Sequence, residues 1–349
     1  MHGQNVPHVA STTDAALEHL GSTPHGMGVA GEHARRRCWS RTLVLAAAIT
    51  ASLDRRCASA ADPAAFKAWI AQNGVSTAKV DMAKECGPGV RGMVAAADVA
   101  VSQRQRQRQR RQPHALPPAE RAQPALAVSS LTAGLAAQAG ETLLDVPFAL
   151  MMTLNTAQQG PLKKVIEEKQ ISPTMIMALH LLNEKLNPSS FYKDWISLLP
   201  EAFETPLFWG EEDLAGLQGS TILSVVQRRK ETMQADYTAL FDVLFAEYPE
   251  LFKPEEYTFE AFRWALSTVW SRSFVFNIES QLVPVIVPFA DMFEHANVES
   301  SFSLEDQEKV FRITLGKPLK AGERAYISLG AKPNSQLLMN YGFVLQDNL

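Results

Sequence analysis

The chain has 349 residues, 46% hydrophobic, 20% charged and 8% aromatic, a composition that excludes wholesale disorder and collagen-like repeats. At about 150 residues per domain its length allows two domains, or one large domain with appendages. No run reaches the ~18 apolar residues of a membrane span, and Cys38, Cys57 and Cys86 lack the paired spacing of a disulfide framework or zinc cluster, so no metal site is expected.

The net charge of -4 is unevenly spread. Residues 33–61 hold six arginines against Asp54, and residues 101–138 hold six against Glu120, a balance of +5 in each. Residues 139–349 hold 17 basic and 28 acidic side chains, a balance of -11. Sequence-independent phosphate binding needs a basic surface, so an acidic body argues against a nucleic-acid partner.

In chain order, Arg35-Arg36-Arg37-Cys38-Trp39-Ser40-Arg41 precedes the apolar stretch Thr42 to Leu53, and Ala58-Ser59-Ala60 follows. Basic flank, apolar core and small-residue site have the layout of a translocation signal. The signal begins only after about thirty residues, as in a two-part organelle presequence. Residues 1–61 are therefore expected to be a presequence addressing the chain to the chloroplast. The alternatives are a disordered N-terminus, a short buried helix or a misplaced start, with the cytoplasm as location. Phe66, Trp69 and Ile70 have helical spacing and predict a short amphipathic helix ending near Gly74. Gly87-Pro88-Gly89-Val90-Arg91-Gly92 reads as a turn feeding a strand that starts at Met93.

Residues 101–138 open with a Gln/Arg alternation, continue through Pro113, Pro117, Pro118 and Pro124, and end Ala/Ser-rich. Few large apolar side chains offset the entropy of ordering them, so a disordered insertion is expected. From Gly140 a turn leads into an apolar strand that Pro147 ends. Residues 162–275 read as mostly helical. Ser172 before Pro173 and Thr258 before Phe259 are N-cap candidates, and Phe259, Phe262, Leu266, Val269 and Trp270 form one stripe expected to be a core face. Short strands are expected at 282–288, 310–315 and 325–329, with Lys320-Ala321-Gly322-Glu323 turning between the last two. Strands at both ends and helices between them predict an α+β domain whose sheets join distant parts of the chain.

Four patterns in order resemble the SET-domain superfamily, in its Rubisco large-subunit methyltransferase-like branch. The first is Gly89-Val90-Arg91-Gly92-Met93-Val94-Ala95, continued beyond the insertion by Gly140-Glu141-Thr142-Leu143-Leu144-Asp145-Val146-Pro147. The second is Trp270-Ser271-Arg272-Ser273-Phe274. The third, Pro288-Phe289-Ala290-Asp291-Met292-Phe293-Glu294-His295, is similar to the family's P-x-x-D-x-x-N-H. The fourth, Asn334 to Phe343, is similar to its N-x-x-L-x-x-x-Y-G-F. The resemblance covers residues 62–100 and 139–349. It implies a SET fold of small β-sheets around a knot-like C-terminal arrangement, with a long helical insert and with the relatives' C-terminal substrate-binding domain absent.

The resemblance also implies S-adenosylmethionine as cofactor and methyl transfer to a protein side chain, usually lysine; a monomer without specific nucleic acid or membrane partners is expected. Val90, Arg91, Gly92 and Met93 would cradle the cofactor, Arg272 would meet its carboxylate, and Asp291, Glu294 and His295 would lie beside it. Tyr341 would line the methyl-transfer site as the catalytic residue. On the residues alone other roles stay open: a plain strand connector at 89–93, a salt-bridged helix arginine at 272, a turn cap at Asp291, and core side chains at His295 and Tyr341. The chemistry sets what the site roles would require. An in-line displacement depends on positioning, and an acceptor amine loses its proton more easily in a dry channel.

Two departures bear on activity. Glu294 stands where the family has asparagine, and Leu329 stands where it has a tyrosine, leaving an apolar wall without a hydroxyl. Tyr326, three residues away on the expected strand, faces the other side. A SET-fold binding module without turnover, or a methyltransferase acting on histidine, are the alternatives. A neutral imidazole near pH 7 needs less deprotonation than an amine.

Overall fold

The structure, a computed structural model, describes residues 63–82, 92–97, 141–278, 281–346 and 348. The presequence of 1–61, the insertion of 101–138, and Val90 and Arg91 lie outside these residues. The chain divides into two compact units: a β unit of Asp62–Met151 with Phe274–Ala331, and a helical unit that holds Met152–Ser273 with Lys332–Leu349.

The β unit opens with α1 (Pro63–Gln72), which buries Phe66, Trp69 and Ile70 on one face. Proline suits the first turn because its missing N–H would have no partner there. Gly74 ends the helix at φ +86, a conformation that costs glycine little. Its N–H meets Ala71 O and that of Val75 meets Ile70 O, the paired bonds of a Schellman motif.

The described strands are β1 (Val80–Met82), β2 (Met93–Ala95), β3 (Glu141–Pro147), β4 (Ser273–Ile278), β5 (Gln281–Ile286), β6 (Glu294–His295), β7 (Ser300–Glu305), β8 (Val310–Leu315) and β9 (Arg324–Ile327). They form sheets ordered β1-β2-β9-β6, β3-β8-β7 and β4-β5. In the first sheet β9 runs antiparallel to β2 and parallel to β6, so chain segments some 200 residues apart meet on neighbouring strands. Directly opposed residues share a face. Val80, Met82, Met93, Ala95, Ala325, Ile327 and His295 are buried on one side, while Asp81, Val94, Arg324, Tyr326 and Glu294 occupy the other.

In the second sheet a register shift between Thr142 and Leu144 lets the consecutive Leu143 and Leu144 both be buried. Arg312 grips Asp145 on the opposed strand through two hydrogen bonds of 2.8 and 2.7 Å. Strand β7, of sequence Ser-Ser-Phe-Ser-Leu-Glu, was not anticipated from its composition. It pairs with β8 along its whole length and places Phe302 against Phe274 and Phe311, with ring centroids 5.0 and 6.0 Å away. Burying an aromatic ring outweighs the weak intrinsic preference of serine for a strand.

In the helical unit α2 (Pro173–Leu186) is capped by the Ser172 hydroxyl, which accepts from Met175 N–H, and α4 (Phe259–Arg272) by that of Thr258, which accepts from Ala261 N–H, as expected. Between them runs α3 (Thr221–Glu247), and α5 (Asn334–Tyr341) closes the unit. Helix α4 packs against α2, α3 and α5. Its buried surface is therefore wider than the expected stripe: Trp264, Ala265, Ser267 and Thr268 are buried with Phe262, Leu266 and Val269, while Phe259 and Trp270 are only half-buried. A helix with neighbours on three sides cannot keep one wet face.

A buried polar cluster sits beside α2. The His180 ring nitrogen Nε2 lies 3.0 Å from the Thr156 hydroxyl. Thr156 in turn shares a capping box with Thr153, and Tyr192 meets His180 edge-on. Burial pulls the His180 pKa down to about 4, because the charged imidazolium would be desolvated.

Candidate functional site

Five of the seven described candidates lie in the β unit. Gly92 is buried and leads into β2, and Met93 is fully buried opposite Met82 and Ala325. The Met93 side chain is thus committed to the core, and what this segment can offer a ligand is main chain. Asp291 lies in a short 3-10 turn (Ala290–Met292) and gives its N–H to Val287 O at 3.0 Å. Just before it, Phe289 has φ 78 and ψ -47, near the γ-turn region that costs a residue with a Cβ. The Phe289 side chain is fully buried, with its ring 6.3 Å from that of Phe66, which holds the strained backbone in place.

Glu294 and His295 are adjacent in sequence but occupy opposite faces of the sheet, because β6 pairs with Tyr326 and Ile327 in register. The Glu294 carboxylate is held by Arg324, at 2.9 and 2.8 Å, on the outer face that also carries Tyr326. His295 is buried, and its Nδ1 accepts the Leu329 N–H at 3.1 Å, which places that ring nitrogen in its unprotonated form. The strand expected to reach Leu329 stops at Ile327. Beyond it side chains take the place of ladder partners: Ser300 Oγ accepts the Ser328 N–H at 2.7 Å and His295 takes the next. Leu329 therefore sits just past the strand, with its main chain anchored by the histidine of the third motif.

Arg272 and Tyr341 belong to the helical unit. Arg272 is the last residue of α4, where the helix dipole favours a cation. Nearby carbonyls of that end are satisfied by hydroxyls, Ser271 on Ser267 O and Ser273 on Val269 O. Tyr341 is the last residue of α5 and half-buried, with its ring 6.0 Å from that of Phe343. Burial pushes its phenol pKa up to about 12, so it stays neutral and able to donate. Among the described residues no group hydrogen-bonds that hydroxyl. Gly342 follows at φ +81, and its N–H caps the carbonyls of Leu337 and Leu338. A Cβ there would lie 3.2 Å from Glu204 C and 3.3 Å from Thr205 N, so the closing turn admits only glycine without strain. Asn334 ties down the following chain, accepting the Leu345 N–H and donating to its carbonyl.

Three residues important to this architecture were not singled out in the sequence. Arg324 partners Glu294, Ser300 ends β9, and Arg229 donates to Asn340 Oδ1 at 2.7 Å. Only Arg229 left a signal: it falls on the stripe Val226, Arg229, Met233, Leu240, Leu244, all buried on α3, although Arg228-Arg229-Lys230 looks like a solvated run.

The fold is that of the SET domain. The chain aligns with the solved structure of the SET domain of LSMT bound to lysine and AdoHcy with a TM-score of 0.64 and 23% identity, covering 81% of this chain and 57% of that one. Rubisco LSMT bound to AdoMet aligns with a TM-score of 0.60 at 23% identity, over 81% and 56%. In sequence, 223 residues are 31% identical to the actin-histidine N-methyltransferase of Xenopus tropicalis, covering 61% of this chain and 38% of that protein. The mouse (Mus musculus) actin-histidine N-methyltransferase is 29% identical over 221 residues, 60% and 37%. No family model matches the chain. The chain is a SET-fold relative of protein methyltransferases and spans well under half the length of the curated relatives it matches.

Proposed function

We propose that the chain is an S-adenosylmethionine-dependent protein methyltransferase whose acceptor is a histidine side chain. The observation that carries this is the conjunction of a SET fold with 31% identity to an actin-histidine N-methyltransferase, in a chain whose Leu329 lacks the hydroxyl expected for lysine. Each unit offers donor types that suit the cofactor: in the helical unit Arg272 has a guanidinium suited to a carboxylate, and in the β unit the segment at Gly92 offers main chain while Arg324 pairs the Glu294 charge. When bound, S-adenosylmethionine supplies a sulfonium methyl that an in-line nitrogen lone pair can take, leaving the sulfur as a neutral thioether.

A neutral imidazole carries that lone pair near pH 7, whereas a lysine must first lose a proton. Tyr341 supplies an un-ionised hydroxyl that can orient the acceptor ring. Leu329 is apolar and brings no hydroxyl to orient an amine.

The test is methylation of two peptides, alike except for a single histidine or lysine, with labelled cofactor. Label on the histidine peptide alone is expected, with Tyr341→Phe lowering kcat about 100-fold through lost orientation. Label on the lysine peptide alone would overturn the histidine acceptor. A second reading, a SET-fold module that binds cofactor without turnover, is favoured by the same Leu329. Cofactor binding with neither peptide labelled would establish it.

A further inference from the structure

Helix α3 contributes one buried cation to the helical unit. Arg229 is 9% exposed, donates through Nη1 to Asn340 Oδ1 at 2.7 Å, and lays its guanidinium over the Trp270 ring with Cζ 4.0 Å from the centroid. Asn340 immediately precedes Tyr341 at the end of α5, and Trp270 lies two residues before Arg272 at the end of α4. One planar group therefore touches the last turns of both helices that carry candidate site residues in this unit.

Taking a guanidinium out of water is costly unless its donors and faces are occupied. A leucine or methionine on the same stripe would bury more cheaply but would tolerate many placements of α5. Arginine needs an acceptor in the plane of its fork and an aromatic ring across its face, which specifies where Asn340 and Trp270 stand. At the same helix end a Cβ on Gly342 would crowd the main chain of Glu204 and Thr205.

We propose that Arg229 is a positioning residue that ties the end of α5 to the end of α4 and so sets Tyr341 and Arg272. The proposal rests on the reading of Tyr341 and Arg272 as site residues, and the experiment separates the two. Amide hydrogen exchange in the full chain is compared between wild type, Arg229→Ala and Arg229→Lys. In Arg229→Ala the amides of 337–343 exchange about tenfold faster while those of α2 keep their rates. Methylation by the same variant shows kcat about 100-fold lower, with KM for the peptide within about threefold, because orientation is lost and not binding. Arg229→Lys recovers part of kcat, since it keeps the donor but not the planar stack.

Asn340→Ala gives a second route to the same contact if Arg229→Ala does not fold, and combining the two adds little to either alone. Unchanged exchange at 337–343 overturns the proposal. So does a fall in melting temperature with kcat per folded molecule intact, which would make Arg229 a scaffold residue only. A wild-type chain that binds no cofactor and methylates nothing defeats the functional reading instead, while the exchange data still decide the clamp.

Discussion

In the β unit, His295 is placed by main chain: β6 lies against β9 in parallel register, and the Nδ1 of the ring accepts the Leu329 N–H, the second amide beyond the strand. In the helical unit, Tyr341 is placed by side chains: Arg229 holds its neighbour Asn340, and a methyl group on Gly342 would crowd the Glu204 main chain. Ladder hydrogen bonds recur along a pair of strands and share the load. Packed helices share no such ladder, because interior backbone groups are satisfied within each helix and neighbours meet it through side chains. Positions in the β unit should therefore survive single polar substitutions, and those in the helical unit should not.

The largest effect expected on that basis comes from the polar cluster beside α2. His180 has its pKa lowered to about 4 by burial, against 6.5 for the free side chain. Above pH 6.5 it is neutral folded or unfolded and costs nothing. As pH falls from 6.5 towards 4 the unfolded chain takes up a proton that the folded one refuses, so stability drops by up to ~3 kcal/mol over that window. Urea unfolding between pH 7 and pH 4 should show this slope, and His180→Gln should flatten it. An equal slope in the variant would place the acid sensitivity elsewhere.

Gly342→Ala comes next. It forces a Cβ into the left-handed region and against a backbone, and should lower unfolding stability by about 2 kcal/mol, read as a fall in denaturation midpoint. The variant should also lose activity beyond that fall, since Tyr341 is adjacent.

The smallest effect is in the β unit. Arg312→Met removes the grip on Asp145, a cross-strand pair with partly exposed partners, and should cost only about 1 kcal/mol. A loss as large as that of Gly342→Ala would mean that the β3-β8 ladder depends on the ion pair, and the contrast between the units would fail.

Much of the architecture could be read in advance where local chemistry and periodicity agree. Ser172 and Thr258 cap the helices they precede, Phe66, Trp69 and Ile70 bury one face of α1, and Lys320 to Glu323 form a turn with Gly322 at φ +86. Strand β7 escaped because its serines carry no strand signal, and its stability comes from β8 and two phenylalanines elsewhere in the chain. The candidate site was legible as motifs but not as geometry. Nothing local says that Glu294 is held by Arg324, thirty residues on, or that the expected strand stops short of Leu329 because a serine and a histidine take its amides.

Residue type and spacing alone determined the class of fold, the helix starts and the order of the motifs, since these depend on backbone preferences and on which face is apolar. Tertiary structure decided which side of a sheet each neighbour faces, where β9 ends, and that an arginine in a basic run is buried against Trp270. Those outcomes depend on strand register and on contacts between residues far apart in the chain, which no local pattern encodes.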